Sequence, residues 1–299
     1  MTSSKNILLI GGLASNKDEV QDMKRYADYY KTDITFDVSY THFDQLSFVI
    51  GQDRFDIYDH QNDHMLASYD LIVFRGRVRA HSELAYCVSR YCDAKSVEFL
   101  NDYSAYRAPS KLAQAITLYE LGLPLPLTVY AKDKAIMAKV IADTLQHPLI
   151  IKSSMGSHGH DNFLSKTPEQ TSALLEEHSA LPLIAKSFFA NKCDYRLLCM
   201  GSRELIIRRT AVGDSHLNNT SQGGSAELVE PGFLPARAVE QAHQFAQALK
   251  MTIAGVDVLY NDETGEYVFL EINSQPQLTD GAFPDEKRQL LKAFLADLS

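Results

Sequence analysis

The chain predicts a mixed α/β fold, a parallel α/β unit at its N-terminus followed by an α+β region built on antiparallel strands, and three stretches carry that prediction. Asn6-Ile7-Leu8-Leu9-Ile10-Gly11-Gly12 has the unbroken hydrophobicity of a strand buried on both faces and ends in a glycine turn. Between residues 183 and 209, three apolar segments separated by polar turns read as an antiparallel sheet. Near the C-terminus, Ala254 to Tyr260 and Tyr267 to Asn273 form two apolar strands carrying acids and an amide where core residues are expected.

In chain order, the first strand leads into a helix-like segment from Glu19 to Tyr30, and Asp70-Leu71-Ile72-Val73-Phe74 reads as a second parallel-type strand. Gly11-Gly12 lacks the third glycine of a dinucleotide fingerprint. Arg75, Arg77 and Arg79 follow the second strand, at the end of an open α/β sheet where ligands bind. Guanidinium groups there suit a carboxylate or phosphate, and Arg75, nearest the strand end, is the candidate substrate-binding residue. A solvated basic loop is the alternative.

A helix from Lys111 to Leu121 stops at Gly122, a proline-rich connector reaches Thr128, and a further helix spans Lys134 to Leu145. The strand His147 to Lys152 ends in a lysine, and the polar loop 153–161 behind it carries Gly156 and Gly159. Such a loop can wrap phosphates with backbone N–H groups beside the strand-end ammonium. His158 and His160 have no cysteine at zinc-ligand spacing.

Leu183 to Phe189, Asp194 to Gly201 and Glu204 to Arg209 are the antiparallel strands, with Asp194 and Arg196 on one face. A helix from Glu240 to Lys250 precedes the acidic hairpin. If Asp262 to Glu266 form its loop, Asp257 stands opposite Glu271 and Asn273 shares their face. Two opposed carboxylates need a cation, and hard oxygen donors without sulfur suit Mg²⁺. An acid pair turned to solvent is the bland alternative.

With 299 residues the chain is long enough for two or three subdomains. A net charge of -9 argues against nucleic-acid binding as the main activity. The four cysteines lack CxxC spacing, no signal-peptide pattern opens the chain, and no apolar run has membrane-spanning length. These features predict a cytoplasmic protein without membrane partners.

From Asn101 to Pro276 the order and spacing of the motifs resemble the ATP-grasp superfamily, most closely its RimK-like carboxylate-amine ligases. The matching pieces include Pro109-Ser110-Lys111-Leu112, Ile150-Ile151-Lys152, Asp194-Tyr195-Arg196, Arg208-Arg209, Asn219, Gly255-Val256-Asp257 and Leu270-Glu271-Ile272-Asn273. The resemblance implies an N-terminal domain over 1–100 and two lobes, 101–188 and 189–299, clasping ATP. Lys111 and Lys152 would contact phosphates, the loop with Gly156 and Gly159 would close over them, and Phe188 and Phe189 would lie along the base. Asp257, Glu271 and Asn273 would hold two Mg²⁺ ions, with Mn²⁺ an alternative. Arg196, Arg209 and Asn219 would be catalytic. The implied activity joins an amino acid or peptide carboxylate to an amine through an acyl phosphate, releasing ADP and phosphate. A nucleotide-binding scaffold without ligase activity is the competing reading, and a homo-oligomer is left open. The chain departs from the family in its hinge, where Lys186-Ser187 replaces a glutamine-glutamate pair.

Overall fold

A computed structural model of the protein describes residues 5–31, 36–104, 109–155, 161–191, 193–210 and 225–298. The first hundred residues supply β1 (Lys5–Ile10), α1 (Lys17–Tyr30), β2 (Phe36–Thr41), β3 (Leu46–Gly51), β4 (Arg54–Asp59), β5 (His64–Met65), β6 (Leu71–Phe74), α2 (Ser82–Lys95) and β7 (Glu98–Leu100). A parallel sheet runs in the order β2-β1-β6-β7, and Ile7 to Ile10 are fully buried, as their unbroken hydrophobicity requires. α1 begins two residues before the expected Glu19 because the Asn16 side chain accepts from the amides of Asp18 and Glu19. The antiparallel sheet β3-β4-β5 has no counterpart in the sequence reading. Its strands give no clean alternation because neither face is fully covered: Val49 and Ile50 are 43% and 72% exposed.

Next come α3 (Lys111–Glu120), β8 (Thr128–Val129), α4 (Lys134–Thr144), β9 (Leu149–Ser153), β10 (Asn162–Ser165), α5 (Pro168–Glu177) and β11 (Leu183–Ser187). The strands pair antiparallel in the order β10-β9-β11-β8. Leu149, Ile151, Leu183 and Ala185 point into a core with Met137 and Ile141 of α4. By alternation Ile150, Lys152, Ile184 and Lys186 share the opposite face. One face of a short sheet is therefore apolar, and the other presents two lysines.

The last part is β12 (Cys193–Met200), β13 (Arg203–Thr210), β14 (Ser225–Leu228), α6 (Ala236–Ala248), β15 (Ile253–Tyr260), β16 (Tyr267–Asn273) and α7 (Pro284–Asp297), with the antiparallel order β14-β13-β12-β15-β16. α6 covers one face through Ala242, Phe245 and Ala246, packed on Tyr195, Leu197, Val256 and Phe269. The other face of β12 changes character along its length. Leu198 and Met200 join a core with Ile7 and Leu9 of β1 and with Leu291 and Phe294 of α7, whereas Asp194 and Arg196 continue that face beyond the apolar contact. The parallel sheet thus packs on the apolar end of this face and leaves the charged end to a cavity. Among the described residues no helix is long and apolar enough to cross a membrane.

Register in the β15–β16 hairpin changes midway. Tyr260 pairs with Tyr267 and Val258 with Phe269, but Asp257 pairs with Glu271. Leu270 is therefore an extra residue, a bulge that exchanges the two faces of β16. Phe269 before it and Ile272 after it both enter the same core, a spacing that a regular strand cannot give. The bulge turns Glu271 and Asn273 away from that core.

Candidate functional site

A cavity of about 570 Å³ is lined by residues following β6 of the parallel sheet and by residues of the β10-β9-β11-β8 and β14-β13-β12-β15-β16 sheets. Its position in the last sheet is fixed by side-chain amides that read backbone. Gln114 of α3 donates to the Ile272 carbonyl at 3.1 Å and accepts from the Ile272 amide at 3.0 Å, pinning the outer edge of β16. Asn101 does the same for Ile253 at the start of β15, with both bonds at 2.8 Å. The Lys111 amide donates to the Ser154 carbonyl at 3.0 Å, which ties the first turn of α3 to the segment leaving β9.

Asp257 is 5% exposed and sits in a guanidinium clamp. Arg196, directly opposite on β12, donates Nε to Oδ1 and NH2 to Oδ2, both at 2.8 Å. Arg209 NH2 adds a contact of 3.1 Å to Oδ2, while its Nε donates to Asp194 at 2.5 Å. Burial works against the charge of Asp257, but the two guanidinium groups outweigh it and hold the carboxyl below the usual carboxylate range. Burial pushes Asp194 the other way, up to about 6, against the pull of Arg209.

Glu271 is neutralised by different groups. Lys152 Nζ of β9 lies 3.1 Å from its Oε2 and Lys111 Nζ of α3 lies 3.7 Å from the same atom. Burial raises this carboxyl, and the two ammonium groups together with the Lys152 hydrogen bond overcome it, leaving the group well below its ordinary value. Lys186, 3% exposed, donates to the carbonyl of the bulged Leu270 at 2.9 Å. Its burial, reinforced by the charge of Lys152, brings its pKa down to about 7.

Asp257, Glu271 and Asn273 line this cavity with Lys111 and Lys152. Arg196, Arg209, Phe188 and Phe189 line it too. The Asp257–Glu271 opposition expected from the hairpin is present, although a bulge produces it and the expected five-residue loop does not. Arg75 departs from expectation. It is 1% exposed, donates to the Pro276 carbonyl at 3.0 Å and lies over the Tyr26 ring at 4.9 Å, so it joins two segments of backbone and is absent from the cavity wall. Arg77 and Arg79 of the same cluster do reach the wall. Gly156, Gly159 and Asn219 lie outside the described residues.

Asp194 and Lys186 belong to the cavity but were not singled out as site residues. The signal for Lys186 was its parity, a lysine inside an apolar strand on the face opposite its core residues. Among the described residues, no group of three or more His, Cys, Asp or Glu side chains gathers at ion-binding geometry. A hard cation would therefore rest on two carboxylates and the Asn273 amide. Their opposition across neighbouring strands, a donor set of oxygens with no sulfur or imidazole among them, suits Mg²⁺.

Three comparisons bear on this geometry. A model of the RimK-like ATP-grasp domain matches residues 108–284. A probable alpha-L-glutamate ligase of Teredinibacter turnerae is 29% identical over 177 residues, 58% of this chain and 57% of that protein. One from Haemophilus ducreyi is 28% identical over 234 residues, 75% of this chain and 73% of that protein. Against the first of these relatives the chain spans less than two thirds of its length. The solved structure of the ATP-grasp ligase PsnB, complexed with a phosphomimetic variant of its minimal precursor, Mg and ADP, superposes with a TM-score of 0.71. At 16% identity over 99% of this chain and 100% of that one, it shows the same fold.

Proposed function

We propose, from the premise that this chain belongs to the RimK-like ATP-grasp family, that it is an ATP-dependent ligase joining a carboxylate to an amine with release of ADP and phosphate. The observation that carries the reading is the pair of opposed carboxylates, Asp257 and Glu271, set in one cavity between a guanidinium cluster and an ammonium cluster. Transfer of a γ-phosphoryl group concentrates negative charge, so such a site requires fixed cations more than a covalent nucleophile.

In this reading the chain divides into an N-terminal domain over 1–100 and two ATP-clasping lobes, 101–188 and 189–299. Lys111 and Lys152 turn from Glu271 to the nucleotide phosphates, and Phe188 and Phe189 flank the base. Asp257, Glu271 and Asn273 hold two Mg²⁺ ions, which supply charge neutralisation at the phosphates when bound. A substrate carboxylate oxygen attacks the γ-phosphorus and the bond to the bridging oxygen of ADP breaks, giving an acyl phosphate. A neutral amine then attacks the acyl carbon, phosphate leaves, and the amine proton passes to solvent or base. Arg209 and Arg196 face the developing charge, and Asn219 is the third residue to which this reading gives a catalytic role. The loop holding Gly156 and Gly159 excludes water. The substrates are amino acids or peptides, in keeping with the names of the glutamate-ligase relatives.

The test is ADP release from ATP and Mg²⁺ with pools of amino acids and short peptides, followed by mass analysis. The reading expects substrate-stimulated ADP and a product one water lighter than its two parts. Tight ATP binding without stimulated turnover would overturn it in favour of a nucleotide-binding scaffold.

A further inference from the structure

A second, much smaller cavity of about 30 Å³ adjoins the first, with Arg196, Arg209 and Gln277 lining both. Lys287 lines it as well, and Leu198, Ile207, Ala226, Pro276 and Ala282 make the apolar part of the wall. A cavity of that size admits about two waters, the bulk of one carboxylate.

Lys287 is the group that asks for a ligand. It is 5% exposed, and its ammonium donates to the neutral carbonyl of Asp280 at 3.0 Å. Among the described residues no carboxylate oxygen lies within ion-pair distance of it, whereas Arg196 holds Asp257 and Arg209 holds both Asp194 and Asp257. It also stands in the first turn of the 14-residue α7, where the helix dipole disfavours a cation. Burial lowers its pKa, the Asp280 charge opposes that shift and Arg196 adds to it. A buried ammonium with only a carbonyl partner is costly unless an anion completes it.

We propose that this chamber is a subsite for a substrate carboxylate other than the one that is phosphorylated, with Lys287 as its specificity-determining residue. The assignment to a ligase substrate rests on the reading above. An anion seated there lies beside Arg196 and Arg209 while the nucleotide end of the larger cavity stays free. The shared arginines place the two substrate groups next to each other.

Calorimetric titration of the full chain, saturated with ADP and Mg²⁺, tests this with L-glutamate and its two monoamides, L-glutamine and L-isoglutamine. The expected result is saturable binding of L-glutamate and at least about tenfold weaker binding of one monoamide. Lys287→Met should abolish that discrimination, leave the ADP Kd unchanged and melt no lower, because it removes a buried ammonium with no carboxylate at ion-pair distance among the described residues. Lys287→Gln keeps a polar head group and covers the case in which methionine disturbs packing. Equal binding of all three probes, no saturable binding, or discrimination that survives in both variants would overturn the subsite. Lys287-dependent discrimination without ADP release in any substrate pool would keep the subsite and overturn the ligase reading instead.

Discussion

Asp257 and Glu271 oppose each other across two strands, yet their countercharges come from different places. Asp257 is clamped by Arg196 and Arg209, which stand on neighbouring strands of its own sheet and are held in register by the β12–β13 and β12–β15 ladders. Glu271 is met by Lys111 and Lys152, which arrive from α3 and from the second sheet. The guanidinium half is built when one sheet forms, with planar forks that fix geometry. The ammonium half depends on how two sheets lie against each other and uses compact, rotatable point charges. The first is a preformed frame, and the second is exchangeable.

The largest effect should come from breaking the frame. Asp257→Asn leaves the buried Arg209 and the partly buried Arg196 without their shared carboxylate, and we expect a loss of about 3–5 kcal/mol in urea denaturation together with loss of ADP release. A stability within experimental error of the parent would show that the clamp is not a preformed unit. Glu271→Gln tests the exchangeable half. Its partners Lys111 and Lys152 are rotatable ammonium groups that line the cavity, so folding should be retained while substrate-stimulated ADP release falls on the order of 10²-fold. Equal loss of stability in the two variants would erase the contrast.

A gentler probe of the frame is Gly255→Ala. A Cβ there would lie 3.3 Å from Pro276 Cβ and 3.5 Å from Arg196 Cδ, so it presses on the arginine that clamps Asp257. We expect a cost of about 1–3 kcal/mol in thermal unfolding. Lys186 gives the smallest and most specific signal, a slope against pH. Its folded pKa of about 7 lies below its ordinary 10.5, so between those values the unfolded chain binds more protons and stability contributed by this group rises with pH. Below about pH 7 its burial penalty is fully present. Lys186→Met should flatten the rise between pH 7 and 10.5 in parallel denaturation series, and an unchanged slope would show that the ammonium is not depressed.

Much of this site was legible in the chain. Lys152 at the end of an apolar strand, Asp194 and Arg196 on one face, and the acids in an apolar hairpin all follow from period-two alternation. What escaped was long-range register. That Arg196 faces Asp257 and Asp194 faces Arg209 depends on which strands become neighbours, and no local pattern states it. Arg75 misled for the same reason: its position at a strand end suggested a ligand, but the Pro276 backbone that occupies it lies 201 residues away. Lys186 stood out only as a departure in the hinge and Lys287 not at all, because burial of an ammonium is decided by what packs over it. The hairpin prediction reached the right pair through the wrong geometry, since Leu270 sits in an apolar run that looks continuous whether or not it is bulged.

That bulge has a consequence for engineering. The tip of the hairpin is closed by its own bonds, Asn261 N to the Glu266 carbonyl and Gly265 N to the Asn261 carbonyl, both at 2.8 Å. The acids lie beyond the slip at Leu270, and their far edge is held independently by Gln114. The tip and the acids are therefore mechanically insulated from each other. A reporter peptide spliced between Asp262 and Gly265 would ride on the molecule without being felt at the acids.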